Sequence, residues 1–183
     1  LCNSSKPKQW ALLLFKLIRE FHPKVGIERG CNLGISAAYQ AAAMQCNHNE
    51  GHFYTLEGAP ALAQLSRKHL KDLGLDNVTL VEGRFQDTFL PLLKDLKEVD
   101  YLFIDGHHDE QATVEYFELA LPYLNDPAVV VFDDINWSTG MKRAWQSVSK
   151  HPRVKLSIDL FSVGICIIQP RQTRSEQFKL VFD

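Results

Sequence analysis

Residues 25–39 read VGIERGCNLGISAAY, and this stretch decides the fold of the chain. A short, largely apolar run at residues 25–28 breaks at Gly30, and small residues in a helical pattern follow from residue 35 to residue 45. Gly30 and Gly34 lie in the turn between the two and let the backbone approach a ligand closely. The helix N-terminus adds free N–H groups at the same place. We therefore predict a strand, a tight turn and a helix, the repeating unit of α/β sheets.

The spacing of this motif differs from that of the common dinucleotide-binding turn. Glu28, Gly30 and Gly34 give the pattern E-x-G-x-x-x-G, whereas NAD-binding proteins carry G-x-G-x-x-G after their first strand. A plain tight turn explains the same two glycines, so the motif by itself leaves the ligand open.

Short apolar runs alternate with longer helical patterns on both sides of this stretch. An apolar-rich helix at residues 10–21 precedes it and ends before Pro23, where helical backbone becomes unfavourable. Further strands are predicted at residues 52–56, 78–81, 99–104 and 128–132, and further helices at 61–73, 87–96, 110–124 and 140–150. The last runs, 154–160 and 163–168, are joined by a turn too short for a crossover helix, so they pair antiparallel. Together these elements predict an α/β fold, a Rossmann-like doubly wound sheet of seven strands, mostly parallel with a C-terminal antiparallel hairpin.

Length and composition are those of an ordinary soluble globular protein. The 183 residues, 45% hydrophobic and 23% charged, fit one domain with a core of its own. We expect a single domain over 1–183, with an N-terminal helix at 1–23, a core at 24–170 and a tail at 171–183. A net charge of −2 gives no general attraction to nucleic acid or to an anionic membrane. No stretch approaches the ~20 apolar residues that span a bilayer.

The cysteines indicate a reducing environment. Cys2, Cys31, Cys46 and Cys166 are scattered and form no CxxC pair, whereas zinc and disulfide frameworks need closer, paired spacing. Cys166 lies in an apolar run, which predicts a buried free thiol. We therefore expect a cytoplasmic protein without structural disulfides.

The residues after each predicted strand are the place to search for chemistry, because ligands of such sheets bind beyond the carboxyl ends of the strands. The second strand ends in Glu57-Gly58-Ala59, and an acidic residue there commonly accepts hydrogen bonds from ribose hydroxyls. The third is followed by Gly83-Arg84-Phe85-Gln86, whose ring and amide could frame an adenine. A solvent-exposed glutamate and a surface turn are the simpler alternatives for these two segments.

Carboxylates and histidines follow the fourth and fifth strands, as Asp105-Gly106-His107-His108 and Asp133-Asp134. Three carboxylates that converge without an evident cationic partner repel one another, and Mg²⁺ with oxygen ligands relieves that repulsion. This makes the three aspartates candidate Mg²⁺ ligands. His107 and His108 are candidate bases near neutral pH. Alternatively, one aspartate caps a helix, the others face water, and the histidines are solvated loop residues.

In order and spacing, these segments resemble the class I S-adenosylmethionine-dependent methyltransferases from about residue 25 to residue 168. The chain looks most like the metal-dependent small-molecule O-methyltransferases, the catechol and macrocin O-methyltransferase-like enzymes of methyltransferase family 24. IERGCNLGISAAY is similar to their first motif and YTLEG to their second. VEGRFQDTFLPLL resembles the adenine-binding segment, and LFIDGHH and VVVFDDINW resemble the metal-site strands.

This resemblance implies a cofactor group, a metal group and a base. The implied cofactor-binding residues are Glu28, Gly30, Gly34, Glu57, Gly58, Phe85, Gln86 and Asp105. Among them the first three adjoin the methionine end of the cofactor, Glu57 the ribose, and Phe85 and Gln86 the adenine. The implied Mg²⁺ ligands are Asp105, Asp133 and Asp134, and the implied base is His107 or His108. The metal would lower the pKa of a substrate hydroxyl.

The resemblance therefore implies methyl transfer from S-adenosylmethionine to the hydroxyl of a small molecule, assisted by Mg²⁺. It implies neither a nucleic-acid nor a membrane partner, and related enzymes are often homodimers. Three alternatives stay open: a metal-independent N- or C-methyltransferase, a non-catalytic protein that retains the fold, and an NAD-linked oxidoreductase. The missing G-x-G-x-x-G counts against the last of these.

One position departs from the family pattern. Arg29 stands where an aliphatic residue is usual, and a buried guanidinium is costly unless it is paired. Arg29 therefore pairs with a carboxylate, lies at the surface, or marks a weakened cofactor site.

Overall fold

The structure, a computed structural model, describes residues 7–47, 50–169 and 175–180. It divides into two compact units, Leu1–Asp95 and Leu96–Asp183. Within the described residues no helix is both long and apolar enough to cross a membrane. The expected single domain over 1–183 stays a prediction.

The first unit alternates helices and strands from its beginning. Its elements are α1 (Lys8–Phe21), β1 (Val25–Arg29), α2 (Ile35–Cys46), β2 (His52–Glu57), α3 (Pro60–Asp72), β3 (Val78–Glu82) and α4 (Phe85–Leu96), whose last residue crosses into the second unit. β2 pairs in parallel with both β1 and β3. Arg29 is in register with Leu56, and Glu57 with Glu82. The carboxyl ends of the three strands therefore lie along one edge, where the candidate cofactor residues stand.

Helix α1 packs its apolar face on α2. Ala11, Leu14 and Ile18 are buried, and their spacing of three and four residues places them on one side of a helix. The helix ends at Phe21, where the left-handed His22 donates its N–H to the carbonyl oxygen of Ile18. The predicted stop before Pro23 is confirmed.

The second unit contains the remaining strands. Its elements are β4 (Val99–Ile104), α5 (Glu110–Ala120), a 3₁₀ turn (Leu121–Tyr123), β5 (Leu124–Asp133), α6 (Thr139–Ser149), β6 (Val154–Asp159), β7 (Val163–Ile168) and β8 (Glu176–Lys179). β5 is parallel to β4 and antiparallel to β7, which is antiparallel to β6. The apolar run of β5 is buried, as expected for a strand with neighbours on both sides.

The predicted fold class, a Rossmann-like α/β fold that is mostly parallel with an antiparallel C-terminal hairpin, is confirmed. The described residues form eight strands instead of seven, because β8 pairs in parallel with β6 inside the predicted tail. All four residues of β8 are exposed, so no apolar run marks it. The fifth helix ends at Ala120 rather than at residue 124, since Pro122 has no N–H to continue it.

The cysteines of the described residues are free thiols. Cys166 is completely buried, which confirms the prediction, and burial raises the pKa of its thiol. Burial also raises the pKa of Cys31, to about 12, with a further contribution from the nearby carboxylate of Glu28. Both thiols are therefore neutral and inert. Cys2 lies outside the described residues.

Candidate functional site

The turn between β1 and α2, residues 30–34, contains three residues with left-handed backbone. The φ angles are 113° at Gly30, 49° at Asn32 and 80° at Gly34. Glycine adopts such angles without a Cβ clash, and asparagine tolerates them better than most residues. A Cβ on Gly34 would also lie only 3.3 Å from the Cβ of Ser66. The backbone of this turn thus depends on the glycines that the sequence singled out.

Glu57, at the end of β2, is tied to the same turn. Its Oε2 accepts the N–H of Asn32 at 2.8 Å, and its Oε1 accepts the N–H of Ala59 at 2.9 Å. The residue is only 8% exposed, so the alternative of a solvated glutamate is wrong. Two backbone donors fix the orientation of this carboxylate, while each oxygen has a second lone pair for a ligand hydroxyl.

Glu28 lies in the interior, between β2 and α2. Its carboxylate accepts hydrogen bonds from Thr55 Oγ1 at 2.7 Å and from Gln40 Nε2 at 3.0 Å, and the residue is completely buried. These bonds attach the end of β1 to its neighbours. The role implied at the methionine end of a cofactor stays a prediction.

Arg29 is completely buried, so the alternative that it lies at the surface is wrong. Its Cζ lies 4.7 Å from the centroid of the Phe85 ring, a cation–π contact. Phe85, at the start of α4, is half-buried and Gln86 is exposed. One face of the ring predicted to border an adenine is therefore covered by a guanidinium.

Two further glycines bring the ends of β2 and β3 close together. A Cβ on Gly58 would lie 3.7 Å from the carbonyl oxygen of Gly83. Gly83 has a φ of 144°, and a Cβ there would lie 2.7 Å from Thr88 Cγ2. The positive φ and the nearby Thr88 side chain both favour glycine at position 83. At position 58 a Cβ would make only ordinary van der Waals contacts.

The N-terminus of α2 has no side-chain cap. Gly34 occupies the N-cap position, and the first turn carries no acidic residue. The first N–H groups of a helix lack intrahelical partners and carry a partial positive charge. This end of α2 is therefore suited to an anionic group.

In the second unit, the loop after β4 has left-handed backbone at three successive residues. The φ angles are 117° at Gly106, 66° at His107 and 37° at His108, and Asp134 after β5 has a φ of 50°. Such conformations cost about 1–3 kcal/mol each at residues other than glycine and cluster at functional sites. The loops carrying the predicted base and metal ligands are strained in this way.

His108 lies between two of the predicted metal ligands. Its Nε2 is 3.7 Å from Asp134 Oδ2 and 3.9 Å from Asp105 Oδ1. Its ring is tilted against that of Trp137, with the centroids 6.0 Å apart, and Trp137 is 71% exposed. The imidazole therefore lies within 4 Å of both carboxylates, a contact that the sequence did not reveal.

His107 points to a different neighbour. It is exposed, and its Nδ1 lies 3.4 Å from the hydroxyl oxygen of Tyr116 on α5. Asp109, which is none of the three predicted metal ligands, caps α5 by accepting the N–H of Ala112. Of the two candidate bases, His108 has Asp105 and Asp134 beside its ring.

A family model described as a methyltransferase domain matches residues 27–135, more than half of the chain. The chain belongs to this methyltransferase family. Membership excludes the NAD-linked oxidoreductase that the sheet architecture alone allowed.

Solved structures show the same fold as this methyltransferase. The O-methyltransferase from Bacillus cereus in complex with SAH has a TM-score of 0.76 and 22% identity, covering 90% of this chain and 83% of that one. TomG, the Streptomyces achromogenes O-methyltransferase of tomaymycin synthesis in complex with SAM, has a TM-score of 0.77 and 22% identity, covering 90% and 82%. Cofactor-bound Rv0187 from MTB has a TM-score of 0.79 and 24% identity, covering 91% and 82%. At these identities the likeness establishes the fold.

A shorter match involves a curated relative. Over 52 residues the methyltransferase is 44% identical to protein-L-isoaspartate O-methyltransferase from Ignicoccus hospitalis, which is 28% of this chain. The match spans a quarter of the length of that relative, 25%. It supports the family assignment without extending it to a substrate.

The three predicted Mg²⁺ ligands lie after β4 and at the end of β5. Across the described ranges, no group of three or more His, Cys, Asp or Glu side chains is arranged to hold a metal ion. Asp105 and Asp134 face the imidazole of His108, and Asp133 is 5% exposed at the end of β5. The imidazole of His108 thus lies between two of the three predicted ligands. The set Asp105, Asp133 and Asp134 stays a prediction.

Two side chains that hold the turn of the first unit were not predicted from the sequence. In α3, Ser66 binds the carbonyl oxygen of residue 32 and His69 binds that of residue 33. Their spacing of three residues places them on one helix face. That signal was too weak to connect them to a turn more than thirty residues earlier in the sequence.

Proposed function

We propose that this methyltransferase transfers a methyl group from S-adenosylmethionine to a hydroxyl oxygen of a small-molecule acceptor. The observation that carries the proposal is the carboxylate of Glu57, buried and oriented by the N–H groups of Asn32 and Ala59. A ribose diol donates two hydrogen bonds to a carboxylate placed this way. The O-methyltransferases of the same fold in complex with SAH and SAM support this choice of cofactor.

The rest of the turn supports the other end of the cofactor. Its methionine part carries a carboxylate, and the uncapped N-terminus of α2 offers N–H groups and a positive dipole. Gly30 and Gly34 keep the backbone free of Cβ atoms on this side. The Phe85 ring, fixed by Arg29, offers a flat surface to the adenine.

His108 is the proposed base. As the hydroxyl oxygen forms its bond to the methyl carbon, the bond from that carbon to sulfur breaks and the hydroxyl proton passes to Nε2 of His108. The products are a methyl ether, S-adenosylhomocysteine and an imidazolium. Asp105 and Asp134, each within 4 Å of Nε2, stabilise that imidazolium electrostatically. Holding both reactants in line supplies the remaining rate acceleration.

A metal-independent form of this reaction is favoured by one observation, the position of His108 between the two carboxylates. Mg²⁺ would have to displace the imidazole from Asp105 and Asp134 to use them as ligands. In the proposed reaction these residues therefore hold a base rather than a cation.

Calorimetric titration with S-adenosylmethionine and S-adenosylhomocysteine, in Mg²⁺ and then in EDTA, tests the proposal. We expect micromolar binding that is unchanged by EDTA and weakened at least tenfold by Glu57→Ala, since a hydrogen-bonded charged group is lost. Glu82→Ala is the matched control, because Glu82 ends the neighbouring strand but pairs with Arg67.

Two results would contradict the proposal. Absence of binding in both conditions would favour the non-catalytic alternative, with Arg29 closing the site. Methylation of amines but not of hydroxyl compounds, scored by mass spectrometry over a panel of small acceptors, would favour the N-methyltransferase alternative.

A further inference from the structure

We propose that Ser66 and His69 of α3 are positioning residues that hold the cofactor turn in its binding shape. The inference rests on the proposed function, because it concerns how that cofactor is held. Neither residue belongs to the candidate cofactor, metal or base groups.

Both side chains bind consecutive carbonyl groups of the turn. Ser66 Oγ donates to the carbonyl oxygen of Asn32 at 2.5 Å, and Ser66 is completely buried. His69 Nδ1 lies 3.0 Å from the carbonyl oxygen of Leu33. A carbonyl oxygen only accepts, so Nδ1 of His69 carries the proton in this bond.

These bonds hold Asn32, one of the three left-handed residues of the turn, from both sides. The N–H of Asn32 donates to Glu57, while its carbonyl oxygen accepts from Ser66. The peptide groups before and after the Cα of Asn32 are therefore both held, and His69 holds the next one. A change in the backbone at Asn32, whose φ is 49°, would break its bond to Glu57.

Ser66 thus acts on the cofactor through Asn32 and Glu57. Linked hydrogen bonds in a buried environment strengthen one another. Without the Ser66 hydroxyl, the Asn32 carbonyl loses its donor and the strained turn loses one of the bonds that compensate its strain. The Glu57 carboxylate then keeps its bond from the N–H of Ala59, while its bond from the N–H of Asn32 is weakened.

Packing indicates why this residue is a serine. A Cβ on Gly34 would lie 3.3 Å from Ser66 Cβ and 3.6 Å from Ser66 Cα, so α3 touches the turn at this point. A larger side chain than serine would not fit between them, and alanine would fit without donating. The position suits a residue that is both small and a donor.

The test compares Ser66→Ala and His69→Leu with wild type in calorimetric titration with S-adenosylhomocysteine, well below the melting temperature of each variant. We expect the Kd to rise about fivefold to tenfold in each, the effect of one lost buried hydrogen bond. His69→Asn, whose Nδ2 can reach the same carbonyl, restores most of the affinity. Gln64→Ala, at an exposed position of α3, is the control and leaves the Kd unchanged.

A second measurement separates positioning from general stability. The amide proton of Asn32 reports its hydrogen bond to Glu57 in an NMR spectrum, and we expect its signal to shift in Ser66→Ala but not in Gln64→Ala. Variants that melt earlier yet bind S-adenosylhomocysteine like the wild type would overturn the inference and leave the proposed function standing. A wild-type protein that binds neither S-adenosylmethionine nor S-adenosylhomocysteine would overturn both.

Discussion

The turn after β1 and the loop after β4 both use left-handed backbone, but they use it on different residues. In the turn it falls on Gly30, Asn32 and Gly34, and a buried carboxylate and a buried serine hold the backbone in place. In the loop it falls on Gly106, His107 and His108, and the two histidines are the candidate bases.

This difference indicates which groups each region offers to a ligand, backbone in the turn and side chains in the loop. The turn exposes backbone and keeps Cβ atoms away, which suits a ligand that must come close. The loop accepts strain at residues that carry side chains, which fixes where an imidazole stands. Glu57 and Ser66, which hold the turn, are buried, whereas the side chains of His108 and the carboxylates beside it are 23–35% exposed.

The largest effect is expected from placing a Cβ in the turn. Gly34→Ala forces alanine to a φ of 80° and brings its Cβ within 3.3 Å of Ser66, so we expect cofactor binding to be lost. Gly74→Ala meets the same backbone strain, φ 67°, with nothing within 4 Å. It should therefore cost about 1–2 kcal/mol of stability and leave the affinity unchanged. Calorimetry and chemical denaturation measure both, and equal affinities would show that the turn does not bind the cofactor.

The next effect concerns the strained loop. His108→Ala should lower kcat by about 10²–10⁴-fold, the usual contribution of a general base, with little change in cofactor affinity. His107→Ala should lower kcat by less than tenfold, since its Nδ1 lies beside the hydroxyl of Tyr116. Steady-state kinetics of both variants, with a substrate that the wild-type protein methylates, measure these two values of kcat. A larger loss of kcat in His107→Ala than in His108→Ala would assign the role of base to His107.

The smallest effect concerns the pair Glu110–Arg143, which joins the helices that follow the two strained loops, α5 and α6. Arg143 Nε lies 3.0 Å and 2.9 Å from the two carboxylate oxygens of Glu110, and these hydrogen bonds lower the pKa of Glu110 below its ordinary 4.5. The folded protein thus gains stability above pH 4.5 and loses it as the pH falls through the lowered value.

Melting temperatures across this acid range, with Arg143→Ala beside wild type, measure that contribution. Because both side chains are exposed, the contribution is small and salt screens it. Arg67→Ala, which breaks another exposed arginine pair, with Glu82, is the control. An unchanged pH profile in Arg143→Ala would show that the pair does not stabilise the second unit.

Most of the fold could be predicted from the apolar runs of the sequence and the positions at which they break. The bounds of β4 and β7, Val99–Ile104 and Val163–Ile168, are those predicted. Both strands were recognised because a strand buried on both faces is a nearly continuous run of apolar residues. β8 was missed because pairing at an exposed edge leaves no such pattern.

The candidate residues that the sequence indicated lie at a strand end or a few residues beyond it, as Glu57 and Gly34 do. Ser66 and His69 come from a helix 34 and 36 residues beyond their partners, and no local pattern encodes such a contact. The position of His108 between carboxylates depends on left-handed backbone at residues that rarely adopt it. The sequence therefore did not indicate that the imidazole of His108 lies between Asp105 and Asp134.

The short strand β8 also has a consequence for the solubility of the protein. An uncovered strand edge presents a row of N–H and C=O groups on which another chain can add, the usual beginning of aggregation. β8 occupies that edge of β6 with only four residues, two of which, Glu176 and Lys179, are charged. Without β8 the longer strand β6 would be exposed instead, so these four residues protect that edge against self-association.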